Sequence, residues 1–321
     1  MDEIDKKQEE KTVGIPKPKE EATNQIPRTQ EVKTDNFNFD YVLLLIYPKY
    51  PKFSIEKTDA LHLIKEFERK IEPKSKLLII LDSPGGEIYT AVKMVDIIRS
   101  SFSDVKFVVP LYAKSAATLM SLAGDEIIMS PQSELGPLDL PYEHPHLEGE
   151  MISAYDVVRS LEYLQDLAVQ KALEDIGVKI RRSVGLSRKE SVAMAIKFAT
   201  DLVTPILSKE DPRIIYVCFR LLLIAEIYGT EFLRDYMFKN EPSYIRREQP
   251  SKITRRLIWD YPDHSFSIRR CEAKRIGLKI KDSEELPEWN IIWKCYNVFM
   301  NSESKIIKLL NKKEFLEIFN K

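Results

Sequence analysis

Cysteine is scarce: Cys218, Cys271 and Cys295 are the only three in 321 residues. They lie far apart and form no CxxC pair, so nothing in their spacing suggests a metal site, and an odd count does not suit a disulfide framework. A reducing, cytoplasmic setting fits that usage. Long apolar runs are also missing. The longest, Tyr41–Tyr47 and Leu221–Ala225, fall far below the ~20 residues that span a bilayer. The charged start, Met1-Asp2-Glu3-Ile4-Asp5-Lys6-Lys7, is followed by no apolar stretch of signal-peptide type. Nor does either sign of charge dominate. With 49 basic and 50 acidic residues, there is no electrostatic pull toward nucleic acid or an anionic membrane. No G-x-x-x-x-G-K-[ST] phosphate loop occurs, so any energy-dependent unfolding falls to a separate ATPase partner. There is no internal repeat and no coiled-coil heptad run.

What is present is a hydrophobic fraction of 44%, enough for one large domain or two small ones. Residues 1–38 are rich in Lys, Glu, Gln, Thr and Pro. They offer too little apolar surface to offset ordering entropy, so a disordered tail is expected. Order begins at Tyr41–Tyr47, a continuous apolar run suited to a strand buried on both faces. Further buried strands are expected at Leu77–Leu81, Phe107–Val109 and Ile127–Met129. Between them come helices: one striped by Leu61, Ile64, Phe67 and Ile71, one by Ile88, Ala91, Val92, Val95 and Ile98, and a short one at Ala116–Ala123. This alternation predicts a largely parallel α/β sheet. Residues 130–150 read as turns and 154–176 as a long helix. Residues 187–232 read as helix broken at Pro205 and Pro212, and residues 291–321 as an amphipathic helix pair or tail.

Four of the ten glycines, Gly85, Gly86, Gly124 and Gly136, fall within the α/β region. Glycine serves where backbone must turn sharply or approach another group closely. Ile79-Ile80-Leu81-Asp82 runs into Ser83-Pro84-Gly85-Gly86, a turn able to present N–H groups to a developing oxyanion. Later, Tyr112-Ala113-Lys114-Ser115-Ala116-Ala117-Thr118 sets a serine at a strand-to-helix junction, where a nucleophile stands clear of its own backbone. Serine is also a favoured helix cap, and a Ser-Pro-Gly-Gly segment can be an ordinary turn. The two together, in this order, favour catalysis.

Ser83–Gly86, Ala113–Thr118 and Ala123–Met129 resemble the Clp/crotonase superfamily, and within it serine peptidases of the signal peptide peptidase A and Clp type. Ser133–Asp139, Tyr261–Phe266 and Glu272–Leu278 resemble the serine dehydrogenase proteinase family. The resemblance covers residues 41–140 strongly and 255–282 moderately. It implies an α/β fold of repeated β-β-α units. The implied division is a tail at 1–38, a Clp/crotonase-like peptidase domain at 39–282 and a C-terminal helical extension at 283–321. It also implies Ser115 as nucleophile, with Gly86 and Ala116 supplying the oxyanion N–H groups. Three basic residues compete as general base. Lys171 lies on the apolar side of the long helix, where burial lowers an amine's pKa. His264, beside Asp263, precedes the element that carries the triad acid in Clp peptidases. His144 lies in a proline-broken loop and ranks behind them. Lys114 departs from the small residue common next to the serine, and His62 receives no role.

The expected activity is that of a serine-type endopeptidase acting on peptide or protein substrates, without cofactor or metal. The chain is expected to be cytoplasmic and homo-oligomeric, with a peripheral membrane or ATPase partner left open and no nucleic acid. Two other readings stand beside it. One is a catalytically silent scaffold on the same fold, favoured by the missing Clp-type histidine after the fourth strand. The other is a crotonase-type acyl-CoA enzyme, which would not need Ser115.

Overall fold

A computed structural model describes residues 37–49, 52–143, 151–170 and 177–318. Residues 1–36, His144 and Lys171 therefore lie outside the described residues. In chain order come β1 (Tyr41–Ile46), α1 (Lys57–Phe67), β2 (Lys76–Asp82), α2 (Ile88–Ser101), β3 (Asp104–Val109), β4 (Tyr112–Ala113), α3 (Ala116–Ser121) and β5 (Glu126–Met129). Next are β6 (Glu134–Leu135), β7 (Pro141–Glu143), β8 (Met151–Ser153), α4 (Ala154–Asp166), α5 (Gly177–Val184), α6 (Arg188–Leu207), α7 (Pro212–Phe232) and α8 (Ser243–Trp259). The chain continues through β9 (Ile268–Arg269), α9 (Arg270–Ile276), β10 (Ile280–Asp282), α10 (Trp289–Phe299), β11 (Ile306–Asn311) and α11 (Lys312–Glu317).

The main sheet has the order β10-β5-β3-β2-β1-β11. Its pairings are parallel except at one edge, where β11 runs antiparallel to β1 with Leu43 opposite Leu309. The α/β expectation is met. The apolar runs are continuous because both faces are covered. Leu43, Leu45, Leu77, Ile79 and Leu81 face the cluster that includes α1, α2, α3 and α7. Their alternates Val42, Leu44, Ile46, Leu78 and Ile80 face a second cluster with Phe37, Phe39, α10 and Phe315. A short extended segment follows each early strand before its helix. Ile55 follows β1, Ser83 follows β2 and β4 follows β3. These segments give the β-β-α repeat.

Two local expectations change. The C-terminal stretch read as helical contains β11, whose Ile306-Ile307-Lys308-Leu309-Leu310 run completes the sheet edge. Pro205 does not break its segment, because it sits in the last turn of α6. Pro212 does start a new helix, α7, at its first turn, where its missing N–H costs nothing. Among the described residues no helix is long and apolar enough to cross a membrane.

Candidate active site

A second, small sheet of order β4-β6-β9 builds the site. β4 and β6 are parallel, while β9 runs antiparallel to β6 with Ile268 opposite Leu135. The residues just after β4 and β6, and those just before β9, therefore emerge at the same end. Ser115 follows β4, Asp139 follows β6 and His264 precedes β9. Thr118 ties two of these strands together: its Oγ1 lies 2.6 Å from the Ala113 carbonyl and 3.0 Å from that of Gly136.

Ser115 takes φ +50° and ψ −118°, a conformation rarely held by a residue with a Cβ. Such backbone costs about 1–3 kcal/mol and persists only where the surroundings impose it. The serine occupies the N-cap position of α3, yet its side chain makes no cap hydrogen bond. Capping therefore does not explain it. Its Oγ donates instead to the Asp139 carbonyl, at 3.0 Å, and the residue is only 2% exposed.

The Ser-Pro-Gly-Gly turn packs directly on this serine. Gly85 has φ +98°, and a Cβ there would lie 2.6 Å from the Lys114 carbonyl, 3.0 Å from Ser115 Cβ and 3.1 Å from Ala116 N. Gly86, at φ +143°, is pressed against Ile55. Ile55 N donates to the Gly85 carbonyl at 2.7 Å, and Glu87 N donates to the Ile55 carbonyl at 2.9 Å. Among the described residues the N–H groups of Gly86 and Ala116 form no hydrogen bond. Both remain available as donors at the serine's flank.

His264 Nδ1 lies 3.5 Å from Asp139 Oδ2. That is an ion-pair approach slightly too long for a hydrogen bond. Asp139 is 1% exposed. Ser153 Oγ donates to its Oδ2 at 2.6 Å and Tyr155 N to its Oδ1 at 2.9 Å, both from the start of α4. Burial pushes the Asp139 carboxyl up, but the His264 contact and these two hydrogen bonds outweigh it, and the group lies below the ordinary carboxylate range. It is held ionised. The Asp139 contact in turn raises His264 above an ordinary histidine, against burial and the nearby charge of Lys114.

Of the sequence candidates, Ser115 and His264 both meet Asp139, the one at its carbonyl and the other at its carboxylate, while Ala116 follows the serine and Gly86 follows the Gly85 that packs on it. Asp263 does not join them, because its carboxylate accepts from Ser265 N at 2.7 Å within its own loop. His62 is exposed on α1. Lys114 Nζ pairs with Glu134 at 2.7 Å and reaches the Phe266 carbonyl at 3.4 Å, so its charge is bound at the site's edge. Asp139 received no role from sequence, although it ends the Ser133–Asp139 motif. The acid that closes this turn segment was the available signal. Cys218 offers no rival nucleophile: burial pushes its thiol up to about 11. Among the described residues no group of three or more His, Cys, Asp or Glu is placed to hold a metal.

Residues 28–162 match the family of ClpP-like SDH-type serine proteinases. The matched segment holds Ser115 and Asp139 and stops short of Lys171 and His264. An uncharacterized protein of Methanocaldococcus jannaschii is 37% identical over 68 residues, 21% of this chain and 24% of that protein. The chain thus spans about a quarter of that relative's length in the match. Among solved structures, a variant of the 1510-N membrane-bound stomatin-specific protease is 18% identical, with a TM-score of 0.27, over 48% of this chain and 76% of that one. A variant of ClpP1 from Listeria monocytogenes is 18% identical, with a TM-score of 0.24, over 47% and 75% respectively.

Proposed function

We propose that the protein is a serine-type endopeptidase that works through an acyl-enzyme on Ser115. The observation that carries this reading is the convergence of Ser115, Asp139 and His264 at one end of the β4-β6-β9 sheet, with the Gly85-Gly86 turn against the serine. His264 is the general base, and Asp139 fixes its ring and stabilises the imidazolium that forms. In the resting arrangement the serine proton rests on the Asp139 carbonyl. Rotation about the Ser115 Cα–Cβ bond redirects it toward the imidazole.

Oγ then attacks the scissile carbonyl carbon as its proton passes to His264. The carbonyl π electrons move to oxygen, and that oxyanion accepts from the free N–H groups of Gly86 and Ala116. Each preorganised donor of this kind is worth about 3 kcal/mol in the barrier. Collapse breaks the C–N bond, with His264 returning the proton to the leaving amine. Water, deprotonated by His264, then attacks the ester carbon, and collapse breaks the bond to Ser115 Oγ as His264 returns the proton to that oxygen, releasing the acyl group as an acid. The substrates are peptides or proteins. Lys171 keeps its place as the alternative base and is separated from His264 by substitution.

One observation favours a silent scaffold instead: the near-complete enclosure of Ser115. Labelling with a fluorophosphonate probe, with release of acyl product from a fluorogenic peptide library, tests both readings. The peptidase reading expects labelling of the intact chain, its loss in Ser115→Ala, and a fall of about a thousandfold or more in His264→Ala with Lys171→Ala nearly unchanged. The reverse ranking of those two would make Lys171 the base. An unlabelled, well-folded chain would leave the scaffold.

A further inference from the structure

Two polar contacts from residues 289–311 reach the segments that hold the Gly85-Gly86 turn. The first is at Asp82, the buried last residue of β2. Strand alternation puts Asp82 on the same face as Leu78 and Ile80. The contact on that face is otherwise apolar: Ile292 and Cys295 of α10 share one cluster with Ile46 and Ile80. Into it α10 sends the buried Tyr296, whose Oη donates to Asp82 Oδ2 at 2.6 Å. Asp82 Oδ1 accepts from Tyr112 N at 3.3 Å, in the strand that leads to Ser115. The next residue is bonded to that strand as well. Ser83 N donates to the Tyr112 carbonyl at 3.1 Å, and Lys114 N donates to the Ser83 carbonyl at 3.0 Å.

The second contact is at residues 54–59. Lys305, just before β11, pairs with Asp59 at 2.8 Å and with Glu56 at 3.1 Å, and its Nζ donates to the Ser54 carbonyl at 3.4 Å. Asp59 is fully buried, and its Oδ2 accepts from Glu56 N at 2.9 Å and from Tyr47 Oη at 3.1 Å. Between Ser54 and Glu56 lies Ile55, the residue that pairs with Gly86. Buried charges of this kind add little net stability over apolar side chains of equal volume. What a satisfied polar network adds is a unique arrangement of the segments it joins.

Building on the peptidase reading of Ser115 and Gly86, we propose that Tyr296 and Lys305 are positioning residues for the oxyanion donors. Tyr296 sets the exit of β2 through Asp82. Lys305 sets residues 54–56, against which Gly86 rests. Both act through backbone. Residues 289–311 are then part of the framework that aims the Gly86 N–H at the reacting carbonyl.

Fluorophosphonate labelling and hydrogen–deuterium exchange of the full chain test this together. Three variants are compared: Tyr296→Phe, Lys305→Met combined with Asp59→Asn so that no unpaired charge is buried, and Lys305→Arg. In the first two, labelling of Ser115 should slow about ten- to a hundredfold, the scale of an ångström-sized misplacement. The pH midpoint of labelling should not move, because His264 is untouched. Amides of residues 83–87 should exchange faster while β3 and β5 keep their protection. Lys305→Arg should stay near the wild type. Wild-type labelling rates in the first two variants would overturn the proposal. So would faster exchange spread evenly over the sheet, the mark of a contact that only stabilises. An intact chain that takes no label counts against the peptidase reading alone. Exchange then decides the positioning role, and unchanged amides at 83–87 would overturn it.

Discussion

The main sheet and the helices α6 and α7 (here the arm) treat apolar surface in opposite ways. In the sheet, Leu43, Leu45, Leu77, Ile79 and Leu81 are all 0% exposed. The central strands are covered on both sides within the chain. In the arm, α7 leaves Tyr216, Phe219, Leu223 and Ile227 exposed along one side, and α6 leaves Ile196 and Phe198 exposed. The first region is complete as folded and can therefore hold a serine in strained backbone. Strain of about 1–3 kcal/mol survives only where packing leaves no alternative. The second region shows no such closure: its large apolar side chains stay exposed among the described residues.

Three perturbations probe that contrast. The largest effect is expected from Asp139→Asn, which keeps shape but removes the charge that orients His264. Fluorophosphonate labelling of Ser115 should slow by about 10³–10⁴-fold. Asp139 raises His264, and the base must be neutral to act. Wild-type labelling should therefore rise with pH through a midpoint above the ordinary value of about 6.5, and the residual rate in the variant should titrate lower. An unchanged midpoint would remove Asp139 from the site.

A middle-sized effect concerns Asp82, at the root of the Gly85-Gly86 turn. Tyr296 Oη donates to its Oδ2 at 2.6 Å and Tyr112 N to its Oδ1 at 3.3 Å. Burial pushes this carboxyl up to about 6, although both hydrogen bonds pull it down. The native state thus holds the proton more tightly than the unfolded chain. Its contribution is full below about pH 4 and is lost as pH rises through about 6, on the order of 3 kcal/mol in all. Thermal melts across that window should show the decline in the wild type and a flatter profile in Asp82→Asn. Equal slopes in both would refute the assignment.

The smallest effect is expected in the arm. Ile196→Ala, at a position 52% exposed, should change the unfolding free energy of the isolated monomer by less than about 0.5 kcal/mol. A chemical-denaturation loss of several kcal/mol would mean that α6 is already packed within one chain.

Much of this was legible in the sequence, for reasons specific to each element. The strands announced themselves because burial on both faces demands unbroken apolar runs. Ser115 and the Gly85-Gly86 turn were legible because positive φ and close approach restrict residue choice. Asp139 was not, since its role depends on β6 lying between β4 and β9, a long-range pairing that no local pattern encodes. β11 was missed because a six-residue run next to the helix-favouring Lys312–Glu317 satisfies either period. Pro205 misled because a proline's effect depends on the turn it occupies, and the last turn of α6 accommodates it.

The antiparallel strand β11 has a consequence for biosynthesis. Tyr41 has Leu77 as its inner neighbour, but its outer neighbour is Asn311, far along the chain. Contacts of such sequence separation form slowly. On the ribosome, the outer edge of β1 must wait until the segment around residue 311 has emerged. Until then the half-made chain shows an unprotected strand edge, a template for unwanted pairing. That edge should therefore close only after residue 311 has emerged, and chaperone contact should concentrate in the interval before it.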